Sequence, residues 1–344
     1  MGAVQQGKGS GVALFRDQSA LSAKQPGIDS RRATGEGEWR QINTFSNGLR
    51  AEPFVSARAD YYNVADQSAS NTKGQSISRT MGTVGVDLSY PLIRKAGAST
   101  IILEPMAQIA LSPDAQRDSR IPNEDSISFE FDETNLFEAN RYPGFDLYDG
   151  GQRLNVGVRT TVDWGGGRTA RLLVGRSFRT NRDLMVQART GLQGTASDWV
   201  TSVSIAPIAG LSAFARTRLD SDSLQIRRQE AGANLSLDRV RGYVRYLDDK
   251  TAISGTAVQD IQGAGEVYIS KTWGLTFAGV RDLENDVWRN REIGLLYRDE
   301  CTRLEIVYQR EETYNRTLGP SDNVLIRLTL ATLGDAGYTD YDDR

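Results

Sequence analysis

The residues best equipped for chemistry lie in one polar stretch. IPNEDS (121–126) runs on into FEFDETNLFEANRYPGFDLYDGGQR (129–153), which brings Glu124, Asp125, Glu130, Asp132 and Glu133 close together. Pro122, Asn123, Phe131 and Asn135 lie among them, and Arg141, Gly144, Gly151 and Arg153 follow. Carboxylates at this density can hold a hard cation, pair with arginines, or sit solvated in a loop. The spacing matches no EF-hand calcium loop, and a solvated acidic loop is the simpler reading of the cluster. In a third arrangement the stretch folds into or over the mouth of a larger structure, its carboxylates and arginines pairing with each other and with polar groups around them.

Composition removes most enzyme chemistry. The 344 residues include no histidine, so the usual general base and the commonest transition-metal ligand are both missing, and the one cysteine, Cys301, excludes a zinc cluster. Neither a cofactor nor a metal is expected, and the chain does not read as an enzyme. With 41 basic and 44 acidic residues the charge is mixed, which gives no footprint for nucleic acid. MGAVQQGKGSGVALF at the start is not a secretory signal, and no window approaches the roughly 18 apolar residues of a membrane helix. Neither observation tests for a membrane β-barrel, whose strands escape a hydropathy scan. GKGSG at 7–11 lacks the preceding strand and the GK[ST] ending of a phosphate loop.

The elements that must position the polar stretch alternate with period two. Leu154, Val156, Val158, Thr160 and Val162 fall on one face, with Asn155, Gly157, Arg159 and Thr161 on the other. Val84, Val86, Leu88 and Tyr90 oppose Gly85, Asp87 and Ser89, and Val324, Ile326, Leu328 and Leu330 oppose Leu325, Arg327 and Thr329. Counting from Glu38 gives about fifteen strands, many near the roughly 9–11 residues that cross a bilayer at a tilt. Tight connections such as 207–210 and 238–239 contrast with long polar ones at 64–78, 113–149, 219–229 and 249–260. Alternation alone suits a soluble β-sandwich or propeller equally well. Full charges in strand centres (Asp87, Arg159, Arg327) and aromatics toward strand ends favour the barrel, and no fixed-period blade repeat supports a propeller. The expected fold is therefore all-β, an antiparallel transmembrane outer-membrane β-barrel.

IPNEDS, FEFDETNLF and NRYPGFDLYDGGQRLNVGVR together resemble the loop-and-strand region of the LPS-assembly outer-membrane protein family, LptD. The resemblance continues in RAEPFVSARADYY (50–62), in PLIRKAGASTIILEPMAQIALSP (91–113), and in SIAPIAGLSAFARTRLD, YRDECTRLEIVYQR and DNVLIRLTLATLG further on, covering roughly residues 25–335. It implies a part in the outer-membrane translocon that receives lipopolysaccharide from periplasmic bridge proteins and inserts it into the outer leaflet of a Gram-negative bacterium. Partners implied are lipopolysaccharide, outer-membrane lipid, the bridge proteins and an LptE-like lipoprotein plug.

The family barrel has roughly 26 strands, so about fifteen read as part of a larger barrel. The division expected is 1–35 as a poorly structured start or a truncated upstream strand region, 36–335 as the LptD-like C-terminal barrel region and 336–344 as a polar tail. By the resemblance, Val324, Ile326, Leu328 and Leu330 lie on the last strand of a lateral gate, and Cys301 is half of a long-range disulfide; the plain alternatives are a lipid-facing strand and a stray thiol. Contact with lipopolysaccharide phosphates would fall to arginines. A general porin, a lipid-modifying barrel enzyme and a non-functional barrel fragment are the other functional readings.

Overall fold

The computed structural model describes residues 2–15, 28–65, 74–114, 118–127, 129–183, 186–252, 254–312 and 319–330. Seventeen strands are assigned to one antiparallel sheet. In chain order they begin with β1 (Gly2–Leu14), β2 (Asp29–Thr44), β3 (Arg50–Ala65), β4 (Gln75–Ser89), β5 (Leu92–Ala96) and β6 (Ser99–Leu111). Then come β7 (Gln152–Gly165), β8 (Arg168–Arg179), β9 (Trp199–Ile208), β10 (Leu211–Leu219), β11 (Ile226–Ser236) and β12 (Val240–Asp249). The last are β13 (Val258–Tyr268), β14 (Trp273–Asp282), β15 (Val287–Arg298), β16 (Thr302–Glu311) and β17 (Ser321–Leu330).

The strand number exceeds the expected fifteen partly because β1 precedes the residue from which the count ran. Residues 2–14, expected to be either a poorly structured start or an upstream strand region, pair with β2 along their whole length, from Gly2↔Ile42 to Leu14↔Ser30. Gly7, Gly9 and Gly11 occupy one face of β1 opposite Gly37, Gly35 and Ala33, and a glycine face carries no hydropathy alternation while leaving backbone pairing intact. The polar tail expected at 336–344 lies outside the described residues.

Two compact units are distinguished. The first comprises Met1–Val162, Arg171–Ser202 and Arg218–Ile226; the second comprises Asp163–Ala170, Val203–Thr217 and Arg227–Arg344. In each, neighbouring strands pair antiparallel, as in β3 with β4 from Arg50↔Ser89 to Val64↔Gln75 and β16 with β17 from Thr302↔Leu330 to Glu311↔Ser321, with a register shift between Val280 and Arg281 where β14 meets β15. Connections alternate in length, so that turns such as 166–167, 209–210, 237–239, 269–272 and 299–301 are short, whereas 112–151 and 180–198 are long. At Gly210, with φ of +79°, an added Cβ would lie 2.2 Å from the Ser236 carbonyl oxygen, so the tight β9–β10 turn requires glycine.

Burial runs opposite to that of a water-soluble sheet. Val84, Val158, Ile293, Ile306, Val324, Ile326 and Leu328 are exposed, while Arg58, Asp60, Arg79, Gln108, Arg153 and Asn155 are buried. Apolar residues on the free face of a strand have no reason to stay in water, and the arrangement matches a sheet whose free face meets lipid. The core sits on the other face of the first unit, where Phe129, Phe131, Leu136 and Tyr142 of the 112–151 connection gather with Leu173 of β8 and Val200 of β9.

In lipid, Ile306→Arg at the centre of β16 is expected to cost about 2–4 kcal/mol, as charges do near the bilayer midplane, with Ile306→Leu close to neutral. Equilibrium unfolding from vesicles measures both.

Candidate functional site

The polar stretch singled out in the sequence is the β6–β7 connection, and it lies folded against the inward faces of strands in the first unit. Its two ends are clasped by backbone hydrogen bonds, Ser112 N–H to the Gly151 carbonyl at 3.2 Å and Gly151 N–H to the Pro113 carbonyl at 3.1 Å. Gly151 has φ of +86°, which suits the reversal there to glycine.

Three charge clusters fix the segment. In the first, Asp60 of β3 accepts Arg58 Nε and Nη2 at 2.9 Å and Arg79 Nε and Nη2 at 2.9 and 2.6 Å. Both guanidiniums then reach the segment backbone: Arg79 donates to the Phe145 carbonyl at 2.6 Å and the Asp146 carbonyl at 2.8 Å, and Arg58 also donates to Phe145. Arg32 of β2 bridges Asp125 at 2.6 Å and Asp146 at 2.8 Å, and the Tyr62 hydroxyl donates to Asp146 at 3.0 Å. Asp60 is wholly buried.

Asp125 and Asp146 also order the segment internally. Asp125 accepts the N–H groups of Phe145 and Asp146 at 3.0 and 3.1 Å, and Asp146 accepts those of Glu124 and Asp125 at 2.7 and 3.1 Å. This reciprocal pair explains Gly144, where an added Cβ would fall 2.1 Å from Asp125 Oδ1. Asn123 accepts from Ser126 N–H at 3.0 Å, and Pro122 beside it is half-buried. Partial burial pushes the Asp125 carboxyl up, but the two backbone N–H groups and Arg32 outweigh it and hold the group well below the usual carboxylate range.

The second cluster is centred on Asp149, which faces Arg141 at 3.6 Å, Arg179 of β8 at 2.8 Å, and Arg153 of β7. Burial raises the Asp149 carboxyl, yet the three cations overcome it and the group lies below its ordinary value. Arg141 is fully buried, which pushes its guanidinium down to about 9 against the pull of Asp149, so it remains charged at neutral pH. It donates to Asn155 at 2.6 Å and Ser177 at 2.7 Å, and Asn155 continues to Gln108 at 2.6 Å. Its ring neighbour is Phe131, 5.3 Å below the guanidinium carbon. Apolar packing joins in at Gly175 of β8, where Leu136 approaches so closely that an added Cβ would lie 2.5 Å from its Cδ2.

In the third cluster Glu130 pairs with Arg189 and, at 3.3 Å, with Arg218. Asp132 and Asn135 shape the bend behind it: Asn135 accepts from Asp132 N–H at 3.2 Å and donates to the Glu130 carbonyl at 2.6 Å. Of the five carboxylates singled out in the sequence, Asp125 and Glu130 depart from the solvated-loop expectation by pairing with arginines, whereas Asp132 accepts from Thr134 within its own exposed bend. No group of three or more potential metal ligands occurs among the described residues.

The remaining candidates lie in the second unit. Val324, Ile326, Leu328 and Leu330 are exposed along one face of β17, opposite Tyr308, Ile306, Leu304 and Thr302 of β16. Cys301 is a free, exposed thiol in the 299–301 turn, its N–H held by Asp299 at 2.9 Å. Sequence reasoning missed Arg32, Arg58, Asp60, Tyr62, Arg79, Asp146 and Asp149. For Arg58, Asp60 and Tyr62 the signal was present, because residues at spacing two share a strand face.

An antiparallel sheet with lipid-suited residues on one face and paired charges on the other defines an outer-membrane β-barrel protein with a segment docked on its polar face. A family profile described as "LptD: LPS transport system D" matches residues 7–277, and the chain belongs to that LPS-transport family. No curated protein matches. Among solved structures, a triple mutant of the Rhodopseudomonas blastica porin is 10% identical with a TM-score of 0.31, covering 95% of this chain and 99% of the porin. The siderophore receptor PirA from Acinetobacter baumannii is 8% identical with a TM-score of 0.41, covering 90% of this chain and 57% of the receptor. Likenesses this distant carry no structural argument.

Asp60→Ala leaves Arg58 and Arg79 buried against each other and is expected to cost about 3–5 kcal/mol, the usual penalty for an orphaned buried charge. Gly144→Ala is expected to cost about 1–3 kcal/mol through overpacking. Denaturant unfolding measures both, with hydrogen exchange of 121–150 reporting which change frees the segment. Because the folded value of Asp125 is depressed, its contribution is fully present above the unfolded value near pH ~3.9 and disappears only as pH falls through the folded one. Protection of Phe145 and Asp146 amides should therefore persist below pH ~4 in the native protein and lose that acid dependence in Asp125→Asn.

Proposed function

We propose that this protein acts in the outer-membrane lipopolysaccharide translocon of a Gram-negative bacterium, taking lipopolysaccharide from periplasmic bridge proteins and inserting it into the outer leaflet. The observation that carries the reading is the family match, which spans the docked 121–153 segment as well as the strands that hold it. The two faces of the sheet suit a ligand with two halves. Sugars and phosphates would travel along the charged face, and acyl chains would meet the apolar one. No covalent step is needed, in keeping with a chain without histidine.

Moving such a ligand sideways into the leaflet requires a seam between strands, because a ladder broken inside lipid leaves backbone groups without water to replace their partners. β17 is assigned to that seam, with Val324, Ile326, Leu328 and Leu330 facing acyl chains. An LptE-like lipoprotein would occupy polar surface left uncovered by the 121–153 segment, and Cys301 would pair with a cysteine of another polypeptide region in the oxidising periplasm.

The test is depletion of the protein in its native host with measurement of newly made lipopolysaccharide at the cell surface. The expected result is accumulation inside the cell and recovery on re-supply of the native protein. Unchanged surface delivery on depletion would end the transport reading.

A further inference from the structure

Resting on the transport reading, we propose that a basic cleft at the short-turn end of the second unit is a binding site for the phosphate groups of a lipid headgroup, those of lipopolysaccharide in the first place. The cleft has a volume of about 290 Å³ and is lined by Arg239, Arg241, Lys271 and Arg298, with Asp238, Tyr268 and Ser270. Four cations face one carboxylate. Arg239 and Asp238 come from the β11–β12 turn, Ser270 and Lys271 from the β13–β14 turn, and Arg298 ends β15 just before the next turn. Short turns mark the periplasmic side of an outer-membrane barrel, which is the side from which the transported lipid arrives.

Among the described residues, three of the four cations there are held by no salt bridge, although Arg241 lies within electrostatic reach of Glu266. Arg239, Arg241 and Lys271 form no ion pair among the described residues, whereas Arg303, one strand beyond, is held by both Glu266 and Glu305. Glu266 is the carboxylate directly opposite Arg241 in the β12–β13 register, yet its oxygens are taken by Arg303 and the Tyr268 hydroxyl. Arg298 stacks over the Tyr268 ring at 5.6 Å and donates to its hydroxyl at 3.4 Å, which leaves the rest of its fork free to donate. Unpaired guanidinium and ammonium groups converging from three turns are a natural receptor for a phosphate, whose oxygens accept several charge-assisted hydrogen bonds at once.

A second observation sets the depth. Trp273 and Tyr297 are directly paired across β14 and β15, their rings 5.0 Å apart edge to face, and Trp273 is exposed on the apolar face. Exposed Ile269 opens the turn that leads into Trp273, its N–H donating to the Trp273 carbonyl at 2.9 Å. Paired aromatics at strand ends mark the membrane interface, so the cleft lies at headgroup level.

The experiment uses the purified full-length protein in nanodiscs and three probes: bisphosphorylated lipid A, dephosphorylated lipid A and phosphatidylglycerol. The variant is Arg239→Gln/Arg241→Gln/Lys271→Gln, checked for native strand content by circular dichroism, with Arg239→Lys/Arg241→Lys as the charge-retaining control. The expected result is binding of bisphosphorylated lipid A weakened about 10-fold or more in the Gln variant, retained in large part by the Lys variant, and insensitive to the substitutions for the dephosphorylated probe. Equal binding of bisphosphorylated lipid A by native and Gln proteins overturns the site while leaving the transport reading to the surface-delivery assay. The same dependence with phosphatidylglycerol but no lipid A binding overturns the lipopolysaccharide assignment and identifies a bilayer-lipid headgroup site.

Discussion

A buried charge must meet its opposite, and the first unit is organised by that requirement. The inward faces of β2, β3 and β4 carry Arg32, Arg58 and Arg79 against a single Asp60, and the missing negative charge arrives with Asp125 and Asp146 of the β6–β7 connection. Neither side is complete alone. Once they meet, the guanidiniums also satisfy the Phe145 and Asp146 carbonyls, so one set of side chains neutralises charge and supplies the hydrogen bonds that an irregular backbone lacks. The conformation of the connection follows from where the strand arginines stand.

Elsewhere on the polar faces the rule is met between strands. Arg40 pairs with Asp87, Arg159 with Glu104, and Arg327 bridges Glu292 and Glu305. These pairs include the three mid-strand charges that first favoured a barrel over a packed sandwich. A wall of matched charges is hydrophilic without exerting a strong net field, in keeping with a net charge of only −3 on a chain with 85 charged residues, 41 basic and 44 acidic. For the proposed cargo, such a wall would pass sugars and phosphates without trapping them.

The legibility of the fold in the sequence depended on side-chain alternation. Val324, Ile326 and Leu328 announced their face because isoleucine, leucine and valine alternate there with arginine and threonine. β1 did not, since Gly7, Gly9 and Gly11 make a strand that only its partner reveals. At the candidate site, Asp125, Arg141 and Arg153 stood out by the density of charge within one stretch. Their partners did not, because Arg32 lies 93 residues from Asp125 and contact over such a distance is set by the topology of the sheet. Asp146 and Asp149 were overlooked inside the quoted stretch itself, since nothing in GFDLYDGG separates an exposed aspartate from one that collects three arginines.

The clasp formed by Ser112, Pro113 and Gly151 has a mechanical consequence. Because both ends of the connection are fastened to each other at one point, it hangs from the sheet as a closed flap, and none of the described residues of 118–150 belongs to a strand. Lifting the flap would break ion pairs, apolar contacts and side-chain hydrogen bonds to its backbone but no rung of the ladder. The sheet and its cover are thus separable parts, hinged at a single place.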